Sequence, residues 1–162
     1  MSLLDYFENL TETKSPIVKS LLNYSGNSNI NLNARDDDGL TGFTWACNRG
    51  RKDVVKLILQ HSGSRNVNLN ARDESGMTGF MTACSKGSKN VVKLLLDYSD
   101  SNNIDLNAKD NFGWTGFMYA CRRGPMTQVV KILNRHSGSQ AIDYLAKNNR
   151  GKTAIAIGSG NY

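Results

Sequence analysis

The chain has 162 residues, 39% hydrophobic and 21% charged, with a formal net charge of +6. This is the composition of one ordinary globular domain, and it excludes a disordered or membrane-embedded chain. The longest apolar runs, such as Ala154 to Ile157 and Leu94 to Leu96, fall far short of the roughly 20 residues a spanning helix needs. Asp5, Glu8 and Glu12 near the amino terminus do not suit a secretory signal, so a cytoplasmic or nuclear location is expected.

Cys47, Cys84 and Cys121 lie 37 residues apart, twice, and a fixed period of this length marks a stacked repeat architecture. In chain order, residues 1–28 hold Ile17-Val18-Lys19 and Leu21-Leu22, which match the second half of a unit and predict a degenerate leading repeat. The first complete unit, 29–65, opens with Leu32-Asn33-Ala34-Arg35-Asp36 and reaches Gly39. In such an Asp-x-x-Gly segment the Asp bonds its own backbone and the Gly takes a positive φ, which predicts an exposed turn or short β-hairpin finger. Thr41 is placed to cap a short helix through Ala46-Cys47, and Gly50 stands where that helix ends in a left-handed residue. Asp53 is placed to cap a second helix. Its Val54, Val55, Leu57, Ile58 and Leu59 cover too wide a face for an isolated surface helix, so neighbours must bury part of it. The polar Ser62 to Asn66 then reads as a surface loop, whose length is tolerated because loop entropy grows slowly.

Residues 66–102 repeat the pattern almost letter for letter, with Leu69 to Asp73, Gly76, Thr78, Cys84, Gly87, Asn90 as the second cap, Val91 to Leu96, and Ser99 to Asn103. Residues 103–140 do so again, with Leu106 to Asp110, Gly113, Thr115, Cys121, Gly124, Val129 to Leu133 after one inserted residue near Pro125, and Ser137 to Gln140. Residues 141–162 carry the first half of a unit, including Gly151-Lys152-Thr153. The expected fold is a single all-α repeat solenoid of helix-turn-helix units with finger turns, folded over 1–162.

The Asp-x-x-Gly-x-Thr opening, the Ala and Gly positions, Val-Val with its aliphatic run, and the Asn-Ala of each finger resemble the ankyrin repeat over essentially the whole chain. The family unit is about 33 residues long, and the extra residues here fall after the second helix. Where the family has Pro, this chain has Gly42, Gly79 and Gly116, forfeiting the backbone angle Pro presets at a helix start; marginal helix starts follow. The family Leu is Phe43, Phe80 or Phe117, and the family His is Thr44, Met81 or Met118.

The residues offer little catalytic chemistry. The cysteines share one repeat position, and helices about 8–10 Å apart cannot bring such sulfurs onto one zinc with about 2.3 Å bonds. A core role is expected for them, buried and reduced. His61 and His136 are equivalent positions near the ends of second helices, where a capping or solvated role fits the helix dipole. No nucleophile elbow, phosphate loop or paired metal motif is present. No catalytic residue, metal or cofactor is expected.

The resemblance implies that the finger residues and the pair after Ala-Cys line a concave recognition face. One finger slot holds Leu40, Met77, Trp114 and Lys152, and the pair gives Asn48-Arg49, Ser85-Lys86 and Arg122-Arg123. Trp45, Thr82 and Tyr119 add contact area or pack. Residues 1–75 hold nine basic and nine acidic side chains and 76–162 hold eleven and five, so the positive charge lies in the second half and would steer an acidic partner there. The expected function is a monomeric, non-enzymatic scaffold that binds another protein, with partner contacts from Leu40, Arg49, Met77, Lys86, Trp114, Tyr119, Arg122 and Arg123. A nucleic-acid-binding module is the first alternative, suggested by a pI near 9.3. The acidic finger tips Asp36, Asp37, Asp38, Asp73 and Glu74, and the absence of a recognised motif, count against it. A second alternative is a regulatory repeat segment of a larger enzyme.

Overall fold

The computed structural model describes residues 31–160 apart from Pro125, Ser137 and Ser139; the leading repeat expected over 1–28 lies outside them. Among the described residues the helices are α1 (Gly42–Asn48), α2 (Lys52–Arg65), α3 (Gly79–Lys86), α4 (Lys89–Asp97), α5 (Ser99–Asn102), α6 (Gly116–Arg122), α7 (Gln128–Asn134) and α8 (Ala154–Gly158). The first helices of successive units, α1, α3, α6 and α8, stack on one another, and the second helices α2, α4 and α7 form a layer behind them. This is the all-α solenoid the period predicts. None of the helices is long and apolar enough to cross a membrane among the described residues.

Each unit begins with a tight finger. The N–H of Asp36, Asp73, Asp110 and Asn148 donates to the carbonyl four residues on, at 3.0 Å in every unit, and the finger glycine donates back. Among the described residues pairing goes no further than the isolated antiparallel bridges Arg35–Thr41 and Lys147–Thr153, so these fingers are turns rather than hairpins with regular strands.

Threonine then starts the helix. Thr41 Oγ1 accepts from the Thr44 N–H at 3.3 Å while Thr44 Oγ1 accepts from the Thr41 N–H at 2.7 Å, a capping box rebuilt with a hydroxyl in the family's His position. Thr78, Thr115 and Thr153 cap α3, α6 and α8 in the same way on their own side chains. The starts are therefore well fixed, and two of the glycines that replace Pro, Gly79 and Gly116, serve the stacking. A Cβ at Gly79 would lie 2.8 Å from a ring carbon of Phe43 and 3.1 Å from the Cys47 sulfur; one at Gly116 would lie 2.7 Å from the Phe80 ring. Gly and Phe substitute together because the larger ring needs the missing side chain of the next unit. In the fourth unit Ala154 takes the glycine's place, and there the Phe117 ring meets Tyr144 edge to face at 4.9 Å.

Two expectations are corrected. Asp53 and Asn90 do not cap the second helices. Arg51 and Ser88 hold that position without a side-chain capping hydrogen bond, because α1 and α3 end at the positive-φ residues Gly50 and Gly87 and the next residue forms an inverse γ-turn. Its signature is φ −77° with ψ 77° at Arg51 and 73° at Ser88, with the Lys52 and Lys89 N–H groups donating two residues back at 2.9 Å. Helix starts two residues earlier than the polar residues suggested. The first two connectors are also not loops. Helix α2 runs through to Arg65, and α5 fills Ser99–Asn102. The hydroxyls of the buried Ser62 and Ser99 bond carbonyls one turn back at 2.9 and 2.8 Å, and Asn66 and Asn103 end the helical stretches at φ 50°, a conformation Asn tolerates better than most residues. The third connector lies partly outside the described residues.

An asparagine ladder ties the units edge to edge. Asn33 Nδ2 donates to the Asn66 carbonyl at 2.9 Å while its Oδ1 accepts from the Asn68 N–H at 2.7 Å. Asn70 does the same to Asn103 and Asp105, and Asn107 to Ala141 and Asp143, all at 2.8 Å. A parallel rail runs along the finger bases, where Arg35 donates to the Arg72 carbonyl, Arg72 to Lys109 and Lys109 to Lys147. In the fourth unit the ladder position is Leu145, 77% exposed, and the Phe position is Ile155, 72% exposed.

Candidate protein-binding face

The residues expected to touch a partner separate into two kinds. Trp45 and Thr82 are buried, Trp45 beneath the Arg49 guanidinium at 5.6 Å from its ring centroid, and Thr82 donating to the Thr78 carbonyl at 3.0 Å. Both pack. Leu40 and Met77 are half-buried in the first two fingers, their N–H groups held by Asp36 and Asp73 Oδ1 at 2.7 and 2.8 Å. Lys86 is exposed in the last turn of α3. Arg123 is exposed but engaged: it donates to the Ser85 carbonyl at 3.1 Å, and its guanidinium lies against Gly87, leaving no room for a side chain there. It fastens the third unit to the end of α3, a contact that its position in the sequence did not reveal.

Trp114, Tyr119 and Arg122 come together. Finger three holds Trp114 through its N–H to Asp110 Oδ1 at 2.8 Å, and α6 presents Tyr119, whose hydroxyl donates to Asp110 Oδ2 at 2.5 Å. The two rings meet at 5.1 Å between centroids, tilted by 42°. Arg122 lies over the indole at 5.6 Å, within the range of a cation–π contact. Asp110 is buried and also accepts from the Phe112 N–H at 2.9 Å, so its carboxylate fixes the finger and the phenol at once. Burial, with the Asp110 hydrogen bond and charge added, pushes the Tyr119 phenol well above its ordinary range, and it remains a neutral donor.

Beside this cluster a pocket of about 470 Å³ opens between the third and fourth fingers. Trp114, Tyr119, Ile157 and Phe112 give it an apolar lining, and Arg122, Arg150 and Lys152 surround it with cations. Phe112 is 64% exposed. It and Arg150 escaped the sequence reading, although both stand at the residue before the finger glycine, where the earlier units carry Asp38 and Ser75.

The cysteines occupy the opposite situation. All three are buried thiols, and burial pushes the thiol of Cys121 up to about 11 and those of Cys47 and Cys84 further still. The sulfurs of Cys47 and Cys84 face the next unit's glycine, the core role the repeat position implied. His61 lies inside α2 because that helix runs on to Arg65, while His136 follows α7.

Comparison with known proteins agrees with this architecture. The family model described as ankyrin repeats, in 3 copies, matches residues 10–110. No curated protein matches the chain.

Proposed function

Because the chain belongs to the ankyrin-repeat family, whose repeats are generally protein–protein interaction modules, we propose that it is a non-catalytic scaffold that binds a partner protein through its fingers and first helices. The units are 29–65, 66–102 and 103–140, with a partial unit at 141–162. The observation that carries the reading is the cluster of Trp114, Tyr119 and Arg122 beside an open pocket, with an aromatic pair held in place by a buried carboxylate and a cation lying over the indole. Tryptophan, tyrosine and arginine are the residues that most often dominate binding energy at interfaces. Leu40, Met77, Arg49 and Lys86 extend the same surface toward the first unit.

The test is site-specific photocrosslinking. A photoreactive residue at Lys86 or Arg122 is expected to crosslink a partner captured from lysate, and one at Lys56, on the second-helix layer, is not. Crosslinking from Lys56 alone places recognition on the other face. Loss of the captured material on nuclease treatment favours the nucleic-acid alternative.

A further inference from the structure

The four finger tips differ in charge in a regular order. The three residues ahead of each finger glycine are Asp36-Asp37-Asp38, Asp73-Glu74-Ser75, Asp110-Asn111-Phe112 and Asn148-Asn149-Arg150. One acidic group is lost per unit until the sign reverses, while the basic residue before each triplet, Arg35, Arg72, Lys109 or Lys147, stays constant. The turn geometry survives the last change because Asn148 Oδ1 accepts from the Arg150 and Lys152 N–H groups at 2.9 Å, as Asp110 does for its own finger. A neutral amide does the structural work of the carboxylate and removes its charge.

The pocket lies at the positive end of this series. Asp110, the acid that bonds the pocket residues, is buried and accepts from the Phe112 and Trp114 N–H groups and from the Tyr119 hydroxyl. Among the described residues Arg122, Arg150 and Lys152 form no ion pair. An apolar lining large enough for a bulky side chain is thus surrounded by three cations that no anion among the described residues pairs with.

We propose, resting on the function above, that this pocket seats one large apolar side chain of an extended, acidic partner segment, and that the charge series sets the direction of that segment, its carboxylates over the fourth finger and away from the first. The apolar anchor supplies desolvation in a pocket of the size small ligands use, and the cations supply encounter and selectivity. A segment laid the other way would bring its acids against Asp36, Asp37 and Asp38, where like charges repel.

The chain has two tryptophans, one buried at position 45 and one in the pocket at 114, so nitrogen-15 NMR gives an internal control. The probe is an acetylated hexapeptide with one phenylalanine flanked by glutamates, titrated to millimolar concentration. The expected result is movement of the Trp114 indole signal and of amides toward Lys152, with Trp45 unmoved. Lysine-flanked and alanine-centred versions are expected to bind at least about tenfold more weakly, and Arg150→Glu with Lys152→Glu to weaken the glutamate peptide at least as much. Absence of any shift, equal binding of either control peptide, or shifts running toward the first finger overturns the proposal. The parent reading is separable: a captured partner that still crosslinks from Lys86 but leaves the Trp114 signal in place preserves the binding face and removes the pocket from it.

Discussion

At position 79 a methyl group has no free space. Gly79→Ala places a carbon 2.8 Å from the Phe43 ring, and overpacking of this kind costs about 1–3 kcal/mol, partly offset by the better helix propensity of Ala. Urea unfolding is expected to show a net loss of about 1 kcal/mol for Gly79→Ala, whereas Gly63→Ala, with open space around it, is expected to be neutral or stabilising. The buried thiols make a second prediction. Their folded values lie above the ordinary 9.0, so the folded state holds these protons more tightly than the unfolded chain does. The stability this gives is fully present below pH 9 and is lost as pH rises from there through about 11 for Cys121. Chemical denaturation at pH 8 and 10 is expected to show the fall, and Ellman's reagent to label the thiols slowly until the protein unfolds. The shared cysteine position was legible in the sequence as a core site. The Phe–Gly contact was not, since two departures from the family pattern that look like separate weaknesses only become one contact when consecutive units are stacked.

The same contrast appears in the helices. First helices were legible from Thr and Gly because both end signals are local. The second helices were legible from their aliphatic runs, but the starts of α2 and α4 were not, since the γ-turn that opens them has no polar signature and Asp53 and Asn90 merely stand close to it. Asn90→Ala is therefore expected to change stability by less than about 0.5 kcal/mol. Thr127→Ala is expected to cost about 1 kcal/mol, because the Thr127 side chain does accept from the Val130 N–H that opens α7. Thermal melts of the two variants side by side check this, and equal losses would restore Asn90 as a cap. The connectors misled for a related reason: a Ser-rich, Asn-ended stretch has loop composition, yet buried hydroxyls bonding back to the helix and a left-handed asparagine continue and close it.

Across the whole molecule the uneven charge was visible in the sequence, but its order along the fingers and its meeting with Phe112 and Trp114 required the stacking. Once a partner is in hand, Trp114→Ala is expected mainly to speed dissociation, at a cost on the order of 2 kcal/mol. Arg122→Ser is expected mainly to slow association and to flatten its dependence on salt. Stopped-flow or surface-based kinetics at two ionic strengths separate the effects, with Lys56→Ser as the unaffected control. Arg123→Ser is expected to lower stability more than affinity, given its bond to Ser85. The ladder of asparagines has a consequence of another kind. The first two junctions use the same asparagine donor, the same asparagine carbonyl and the same ring-on-glycine contact, so the chain can be shortened by one period without inventing a new junction. Excising residues 66–102 would bring Asn33 opposite Asn103 and Asp105 and lay Gly116 on Phe43, so genetic deletion or duplication of a whole unit changes the length of the ladder, and with it the summed stability, while keeping the junction.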